Sequence, residues 1–226
     1  MKKLLCLTLL LSSSCTYAWQ HQNRYYLAGN LGIFQANFNN TFNDQTDVIP
    51  QNIEQPVNQQ GYTGGLAIGY RQFCNNILLG GEFLVNVDGN SATFASGAAN
   101  TAFTDKSQIR AHADLTFTPG MMLTQTLLGY FKLGLSLAYM QDNLNSPISY
   151  TPSYESAHSN KYVPGLAAGI GVSQYLCNNL SLFTEANYHD YGSVDFSNFD
   201  NFTASYSHKS HVYSYDVVVG LSYLFA

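Results

Sequence analysis

The sequence predicts an all-β fold, a transmembrane up-and-down antiparallel barrel of about eight strands with short turns at one end and long loops at the other. Two observations carry this prediction. First, apolar and polar residues alternate with a period of two in about eight segments of roughly ten residues, the length that a tilted membrane-spanning strand requires. Second, the connections between segments alternate between about three and roughly twenty residues, which places every long loop at the same end.

The eight segments can be located one by one from the alternation. They begin near Tyr25, Tyr62, Ile77, Gln108, Leu127, Tyr162, Leu180 and Val212. The short connections are 74–76, 124–126 and 177–179, whereas 37–60 and 141–160 are two of the long polar stretches. This arrangement is typical of barrels that cross an outer membrane, with short periplasmic turns and long extracellular loops.

Each segment has an apolar face and a face of polar or small residues. In the fourth segment, one face is Ile109, Ala111, Ala113, Leu115 and Phe117, and the other is Arg110, His112, Asp114, Thr116 and Thr118. A soluble barrel of the lipocalin type has the same period with its apolar side inside. Glycines on the polar face and outward aromatic residues near the strand ends favour the inverted arrangement, in which the apolar face contacts lipid.

Residues 1–18 have the organisation of a secretory signal peptide. Lys2 and Lys3 give a positive start, an apolar run follows, and Ala18 ends a small-residue cleavage site. Cleavage before Trp19 leaves a single barrel domain over 19–226. Lipoprotein processing at Cys15 is the alternative, and the three serines before that cysteine disfavour it.

The composition excludes several classes of function. Charged residues make up only 10% of the chain and the net charge is −5, which disfavours a nucleic-acid partner because phosphate binding needs a basic surface. After cleavage only Cys74 and Cys177 remain, without the Cys/His spacing of a structural zinc site, and no cofactor is expected. An oxidising periplasm favours a disulfide, but the turns that carry the two cysteines are predicted on opposite walls.

The polar faces bring several charged residues into a narrow interior. The predicted interior ion-pair network consists of Arg71, Glu82, Arg110, Asp114, Lys132, Glu185 and Asp216. Unpaired charges there would cost several kcal/mol each, so these groups are expected to pair or to keep water. Lys132 lies at about the height of Glu82 and Glu185, which predicts a Glu-Lys-Glu cluster near mid-barrel. The sequence before Glu82 recurs loosely before Glu185, which indicates a shared hairpin geometry.

The last strand carries the clearest resemblance to a known family. Val219, Leu221, Tyr223 and Phe225 lie on one face, and the segment resembles the terminal signal that the barrel-assembly machinery recognises, although Ala226 follows the final aromatic residue. The stretches 25–32 and 169–173 resemble the OmpA/OmpX-like, opacity-type surface proteins of the outer membrane.

This resemblance implies a surface-exposed outer-membrane protein that supports envelope integrity and makes contact or adhesion through its long external loops. It implies outer-membrane lipid, lipopolysaccharide, the barrel-assembly machinery and an external protein or host surface ligand as partners. In the OmpA-type barrel, the interior ion-pair network is interpreted as a plug or gate. A narrow pore for ions or small solutes, gated by the charge cluster, is therefore the alternative function.

Catalysis and metal binding receive weaker support from the sequence. Residues 158–160 resemble part of the His-x-Ser-Asn motif of lipid A deacylases, and His189, Asp190 and Ser193 form a candidate rim triad. An outer-membrane lipid-modifying hydrolase is therefore a third alternative, but we expect no catalytic residues. A metal site made by His208 and His211 with His189 is also disfavoured, because residues three apart in a strand face opposite sides.

The terminal strand generates a first prediction. Phe225→Asp is expected to lower the outer-membrane level of the protein strongly, because it places a charge on the lipid-facing face and alters the presumed assembly signal. The measurement is the amount of heat-modifiable protein in isolated outer membranes. Asp200→Asn, in a predicted external loop, serves as the control and should leave that amount unchanged. Parental levels of the Phe225 variant would contradict both roles of the strand.

Overall fold

A computed structural model describes residues 24–44, 51–89, 94–96, 103–147, 154–177, 179–195 and 206–225. The predicted signal peptide and its predicted cleavage site between Ala18 and Trp19 lie outside these residues. Regular secondary structure in the described part is entirely β-strand. Within these same residues, no helix is long and apolar enough to cross a membrane.

The described residues form ten strands, of which eight are long. Their bounds are β1 Arg24–Asp44, β2 Gln51–Cys74, β3 Ile77–Gly89, β4 Phe94–Ser96, β5 Phe103–Phe117, β6 Gly120–Met122, β7 Leu127–Pro147, β8 Tyr154–Cys177, β9 Leu180–Asp195 and β10 Tyr206–Leu224. The short β6 continues the wall that β5 begins, since both pair with β3 and β7. The short β4 pairs with β5.

These strands close into one antiparallel barrel of eight walls. Each long strand pairs with the next in the chain, and β1 pairs with β10 over a register that runs from Tyr26↔Leu224 to Asp44↔Tyr206. Closure gives the backbone groups of both terminal strands a partner, which a strand needs in lipid. The predicted fold class is therefore confirmed.

Short turns connect the walls at one end, as the sequence predicts. Cys74 and Ile77 pair directly, which leaves a two-residue turn at Asn75 and Asn76. Asn75 has a φ of 57°, in the left-handed region that asparagine adopts more readily than most residues. The sequence therefore places an asparagine where the turn requires it.

The polar stretches 37–60 and 141–160 are paired strand over most of their length, so the predicted extent of these two loops was wrong. β1 and β2 stay in register up to Asp44↔Gln51, and β7 and β8 stay in register up to Pro147↔Tyr154. Long connections of Asn, Gln, Ser and Thr between antiparallel strands can satisfy their backbone groups by pairing with each other. The ladder therefore continues beyond the apolar part of the barrel, where β10 also stays paired with β1 up to Asp44 and β5 with β7 up to Asn145.

The outer surface carries an apolar belt between two aromatic girdles. Large exposed apolar side chains follow the outward face of every wall, among them Leu31, Leu66, Leu135 and Val219. Near the short turns, the rings of Tyr25 and Tyr70 have centroids 4.9 Å apart, and the other end carries the pairs Tyr139–Tyr162 and Tyr188–Tyr215 at 5.1 Å. This pattern is that of a barrel whose apolar side faces lipid.

One residue of the predicted interior network lies outside the barrel. Ile109 pairs with Met140 and Ala111 pairs with Tyr139, so Arg110 is the extra residue of a β-bulge. The bulge reverses the alternation, so that Ile109 is buried and Arg110 is exposed, where its Nε donates to Oε1 of Gln141 at 2.9 Å. The interior assignment of Arg110 was wrong because a strict period of two cannot reveal a bulge.

The lipid-facing belt generates a second prediction. Leu135 is 61% exposed in the middle of the belt, so Leu135→Arg should lower the free energy of unfolding by about 2–4 kcal/mol in lipid vesicles. The measurement is a reversible denaturant titration. Asn160→Arg, on an exposed residue beyond Tyr162 in β8, should change the value by less than about 1 kcal/mol, since the cost falls toward the interface. Equal stability of both variants would contradict the position of the belt.

Candidate functional site

The lumen is crossed by an ion cluster centred on Lys132. Its Nζ lies 2.6 Å from Oε1 of Glu82 on β3 and 3.0 Å from Oε2 of Glu185 on β9. The three side chains are at most 7% exposed. One ammonium group from β7 therefore bridges carboxylates on two other walls, and the contacts are charge-assisted hydrogen bonds.

Two tyrosines complete the coordination of these carboxylates. The hydroxyl of Tyr26 donates to Oε2 of Glu82 at 2.5 Å, and the hydroxyl of Tyr130 donates to Oε1 of Glu185 at 2.7 Å. Each oxygen of each carboxylate thus has a donor. Such satisfaction is what a buried charge requires in a space that excludes most water.

The two tyrosine rings fit because glycines face them. A Cβ at Gly69 would lie 2.4 Å from the ring of Tyr26, and a Cβ at Gly171 would lie 2.5 Å from the ring of Tyr130. Any larger residue would push the phenol away from its carboxylate. The loose sequence repeat before Glu82 and Glu185 therefore encodes the same Tyr-Gly-Glu arrangement in two halves of the barrel.

Arg71 extends this inner layer toward the short turns. Its guanidinium carbon lies 4.2 Å from the centroid of the Tyr26 ring, a cation–π distance, and the side chain is buried. The guanidinium of Arg71 therefore lies over the ring of Tyr26, whose hydroxyl donates to Glu82. We call the group Arg71, Glu82, Lys132 and Glu185, with the two tyrosines, the inner layer.

A second polar group lies further toward the extended hairpins, and we call it the outer layer. Nδ1 of His112 lies 2.8 Å from Oδ2 of Asp88, and Nε2 of His189 lies 3.0 Å from Oδ2 of Asp114. The two imidazole rings are 4.8 Å apart between centroids. Asp216 joins the same layer, because Nδ2 of Asn187 donates to its Oδ1 at 2.8 Å.

The structure thus sorts the seven residues of the predicted network into three groups. Glu82, Lys132 and Glu185 meet as a cluster that Arg71 adjoins, Asp114 and Asp216 lie in the outer layer, and Arg110 is outside. The sequence interpretation did not include the tyrosines of the inner layer or Asp88 and His112 of the outer layer. The alternation within each strand could have identified them, because all of them lie at positions that face the barrel interior.

The candidate rim triad and the candidate histidine cluster do not form. His189 is buried in the lumen, whereas Ser193 is exposed and Asp190 lies half-buried, where its Oδ1 accepts from the backbone N–H of Gly192. His211 is 45% exposed and lies 3.8 Å from Asp190. His189 therefore does not lie at the rim, where the candidate triad placed it, because it shares the inward parity of Glu185. The side chain of His208 lies outside the described part.

The two cysteines of the described residues are not bridged. Cys74 and Cys177 are both free and exposed, and each lies at the short-turn end of its strand. Both thiols therefore remain accessible on the side that the topology assigns to the periplasm.

The closed barrel, its lipid-facing belt and its filled polar interior define a small integral protein of the bacterial outer membrane. The chain belongs to the family whose model is described as the outer membrane protein beta-barrel domain, which matches residues 4–225. An uncharacterized protein of Coxiella burnetii (strain RSA 493 / Nine Mile phase I) is 30% identical over 221 residues, which cover 89% of this chain and 84% of that protein.

Solved structures of the same architecture are more distant in sequence. OprG of Pseudomonas aeruginosa aligns with a TM-score of 0.50 at 12% identity, covering 91% of this chain and 97% of that chain. The outer membrane protease OmpT of Escherichia coli aligns with a TM-score of 0.49 at 10% identity, covering 93% and 99%. At 12% identity, the similarity to OprG shows the fold alone.

The inner layer generates a third prediction. Lys132→Ala leaves two buried carboxylates facing each other, so the free energy of unfolding should fall by about 3–5 kcal/mol, less if water enters. Adding Glu82→Gln and Glu185→Gln should restore most of the loss, because the uncompensated charge is then removed. Denaturant titration in vesicles measures the free energy of unfolding of the parent, the single variant and the triple variant.

Lys209→Ala provides the matched control, since Lys209 is exposed on β10 and its loss should change stability by less than about 0.5 kcal/mol. An unchanged Lys132→Ala variant, or a triple variant no more stable than the single one, would contradict the bridging role of the ammonium group.

Proposed function

We propose that this protein is a non-catalytic surface protein whose extended hairpins make contacts outside the cell and whose barrel serves as a plugged membrane anchor. The observation that carries the proposal is the continuation of the strands beyond the aromatic girdle. From the Tyr139–Tyr162 pair, β7 and β8 remain paired for eight further residue pairs, to Pro147↔Tyr154. At about 3.3 Å per residue, that hairpin extends roughly 25 Å along its strands.

A second hairpin extends from the other half of the barrel. β1 and β2 pair through Asp44↔Gln51, well beyond Ile33, an exposed apolar residue of the belt. A membrane anchor has no need of such extensions, whereas paired strands give a rigid surface on which binding residues can be presented. The extended hairpins therefore favour a role in contact with external partners over a role as simple connections between strands.

The chemistry of the hairpin sequences indicates the type of partner. Residues 37–60 contain Asp44, Asp47 and Glu54 and no lysine or arginine, among many asparagines and glutamines. The sequence 196–206 adds Phe196, Phe199, Phe202 and Tyr206. Aromatic residues with amides and acids suit a protein surface that carries basic groups, in keeping with an external protein or host ligand.

Two other functions receive less support. A gated pore for ions or small solutes is disfavoured by the inner layer, where Lys132 bridges two walls across the lumen. A lipid-modifying hydrolase is disfavoured because His189, the histidine of the candidate triad, is buried in the lumen away from Ser193. The lipid-facing belt supports lipid and lipopolysaccharide as partners, and the terminal alternation through Phe225 supports the barrel-assembly machinery.

A fourth prediction tests the proposal by shortening the hairpins. Replacing 42–53 by Asn-Gly, and separately 145–156 by Asn-Gly, keeps the belt and both layers but removes the hairpin ends. Cells that display either variant should attach to a cultured epithelial monolayer at least about tenfold less than cells with the parent, the change that loss of about 1.4 kcal/mol of binding free energy gives.

The matched control is Asn75→Asp with Asn76→Gly, which places two new turn residues at the opposite end of the barrel without shortening any strand and should leave attachment unchanged. Heat-modifiable mobility confirms that each variant is folded. Parental attachment by both shortened variants would overturn the contact function, as would an equal loss in the turn variant.

A further inference from the structure

The outer layer contains three side chains of types that bind transition metals, apart from the Lys132 cluster. His112, Asp114 and His189 each offer one ligand atom, and these atoms all lie within 4.8 Å of one another. All three residues are buried. We infer that this cluster binds one divalent transition-metal ion of the zinc type in the lumen. The inference is independent of the contact function proposed for the hairpins.

The distances between the ligand atoms fit a common ion. Nε2 of His189 lies 3.0 Å from Oδ2 of Asp114, and Nε2 of His112 lies 3.9 Å from the same oxygen. Two ligands at about 2.1 Å from one ion, at a tetrahedral angle, are about 3.4 Å apart. These two distances lie on either side of that value, and the whole set lies within 4.8 Å, so approach of the two imidazoles by about an ångström would complete the site.

A further carboxylate lies beside each imidazole. Nδ1 of His112 lies 2.8 Å from Asp88, and Nδ1 of His189 lies 3.6 Å from Asp216. In metal sites, a carboxylate on one ring nitrogen holds the tautomer that leaves the other nitrogen free to bind the ion. The outer layer shows this arrangement at His112. Nδ1 of His189 instead lies 3.5 Å from Oγ of Ser214, with Asp216 just beyond hydrogen-bond distance. Each Nε2 is directed to the side of Asp114.

The contacts of His112 agree with an unprotonated Nε2. The amide nitrogen of Asn86 lies 3.4 Å from that atom, and an amide N–H₂ group can only donate. Nδ1 therefore carries the ring proton toward Asp88. Nε2 has a single lone pair, so a metal ion bound there would displace the weak contact from the Asn86 amide.

The charge of the outer layer also points to a cation. Asp88, Asp114 and Asp216 are all buried there and only two imidazoles accompany them. Among the described residues, Oδ1 of Asp88 and Oδ1 of Asp114 have no hydrogen-bond partner, although both atoms are buried. Buried carboxylate oxygens without donors are costly, and a dication would compensate the excess negative charge.

The ligand set selects the class of ion. Two imidazoles and one carboxylate suit zinc, iron, cobalt or nickel in the divalent state, whereas calcium and magnesium prefer oxygen ligands throughout. Three protein ligands leave at least one coordination position for water or another group. We therefore use Zn²⁺ and Co²⁺ as probes.

The first experiment measures metal content. The mature chain with Cys74→Ser and Cys177→Ser, which removes the two exposed thiols, is refolded in detergent with excess Zn²⁺ and then desalted. We expect about one equivalent of zinc by elemental analysis, and a Co²⁺-loaded sample should show visible d–d absorption bands. Less than about a tenth of an equivalent in folded protein would overturn the inference.

Substitutions then locate the ion. His112→Gln, His189→Gln and Asp114→Asn should each lower the affinity for Zn²⁺ at least tenfold. Asp88→Asn removes the carboxylate beside Nδ1 of His112 and should lower the affinity for Zn²⁺ about 10–100-fold. His211→Gln is the matched control, because His211 is exposed on the outer surface and should leave the affinity unchanged.

Loss of zinc in the His211 variant, or full retention in all three ligand variants, would place the ion elsewhere and overturn the inference.

X-ray absorption of zinc-loaded protein with both cysteines restored gives an answer that does not depend on the folding of any variant. We expect a first shell of nitrogen and oxygen with imidazole scattering. A shell dominated by sulfur would assign the zinc to Cys74 and Cys177 instead.

Discussion

The pairing of β1 with β10 is the constraint on which the rest of the structure depends. In lipid every backbone N–H and C=O must find a partner within the protein, and this pairing gives the first and last strands of the sheet theirs. Closure at eight walls also fixes a narrow lumen, just wide enough to be filled by side chains. Polar groups that enter this lumen must therefore satisfy one another, and the inner and outer layers are two solutions to that requirement.

The inner layer shows how the two halves of the barrel share one charge. Tyr26 with Glu82 and Tyr130 with Glu185 form the same arrangement on opposite sides. The symmetry ends two residues after each tyrosine, where one half has Ala28 and the other has Lys132. A single ammonium group then serves both carboxylates. The arrangement joins distant walls across the lumen, and the proposed plug rests on these same contacts.

Much of this could be predicted from the sequence, because strand period and turn length are local signals. The barrel, its lipid-facing side and the meeting of Lys132 with Glu82 and Glu185 follow from parity and from height above the turns. Three features could not be obtained in this way. The bulge at Arg110 reverses the parity through one inserted residue, and the pairing of the polar hairpins depends on partners across the sheet. His112 approaches His189 only because distant walls close into a barrel, although the period of two predicts that each of the two side chains points inward.

The central claim is that side chains of the inner layer close the lumen, so that the barrel anchors the hairpins without conducting. Single-channel recording of the refolded mature protein in planar bilayers tests this claim most directly. The account predicts insertions that leave the membrane current at its baseline in moderate salt. Steady, reproducible conductance steps that appear with the insertion of folded protein would contradict it, because an open aqueous path cannot coexist with Lys132 bridging Glu82 and Glu185.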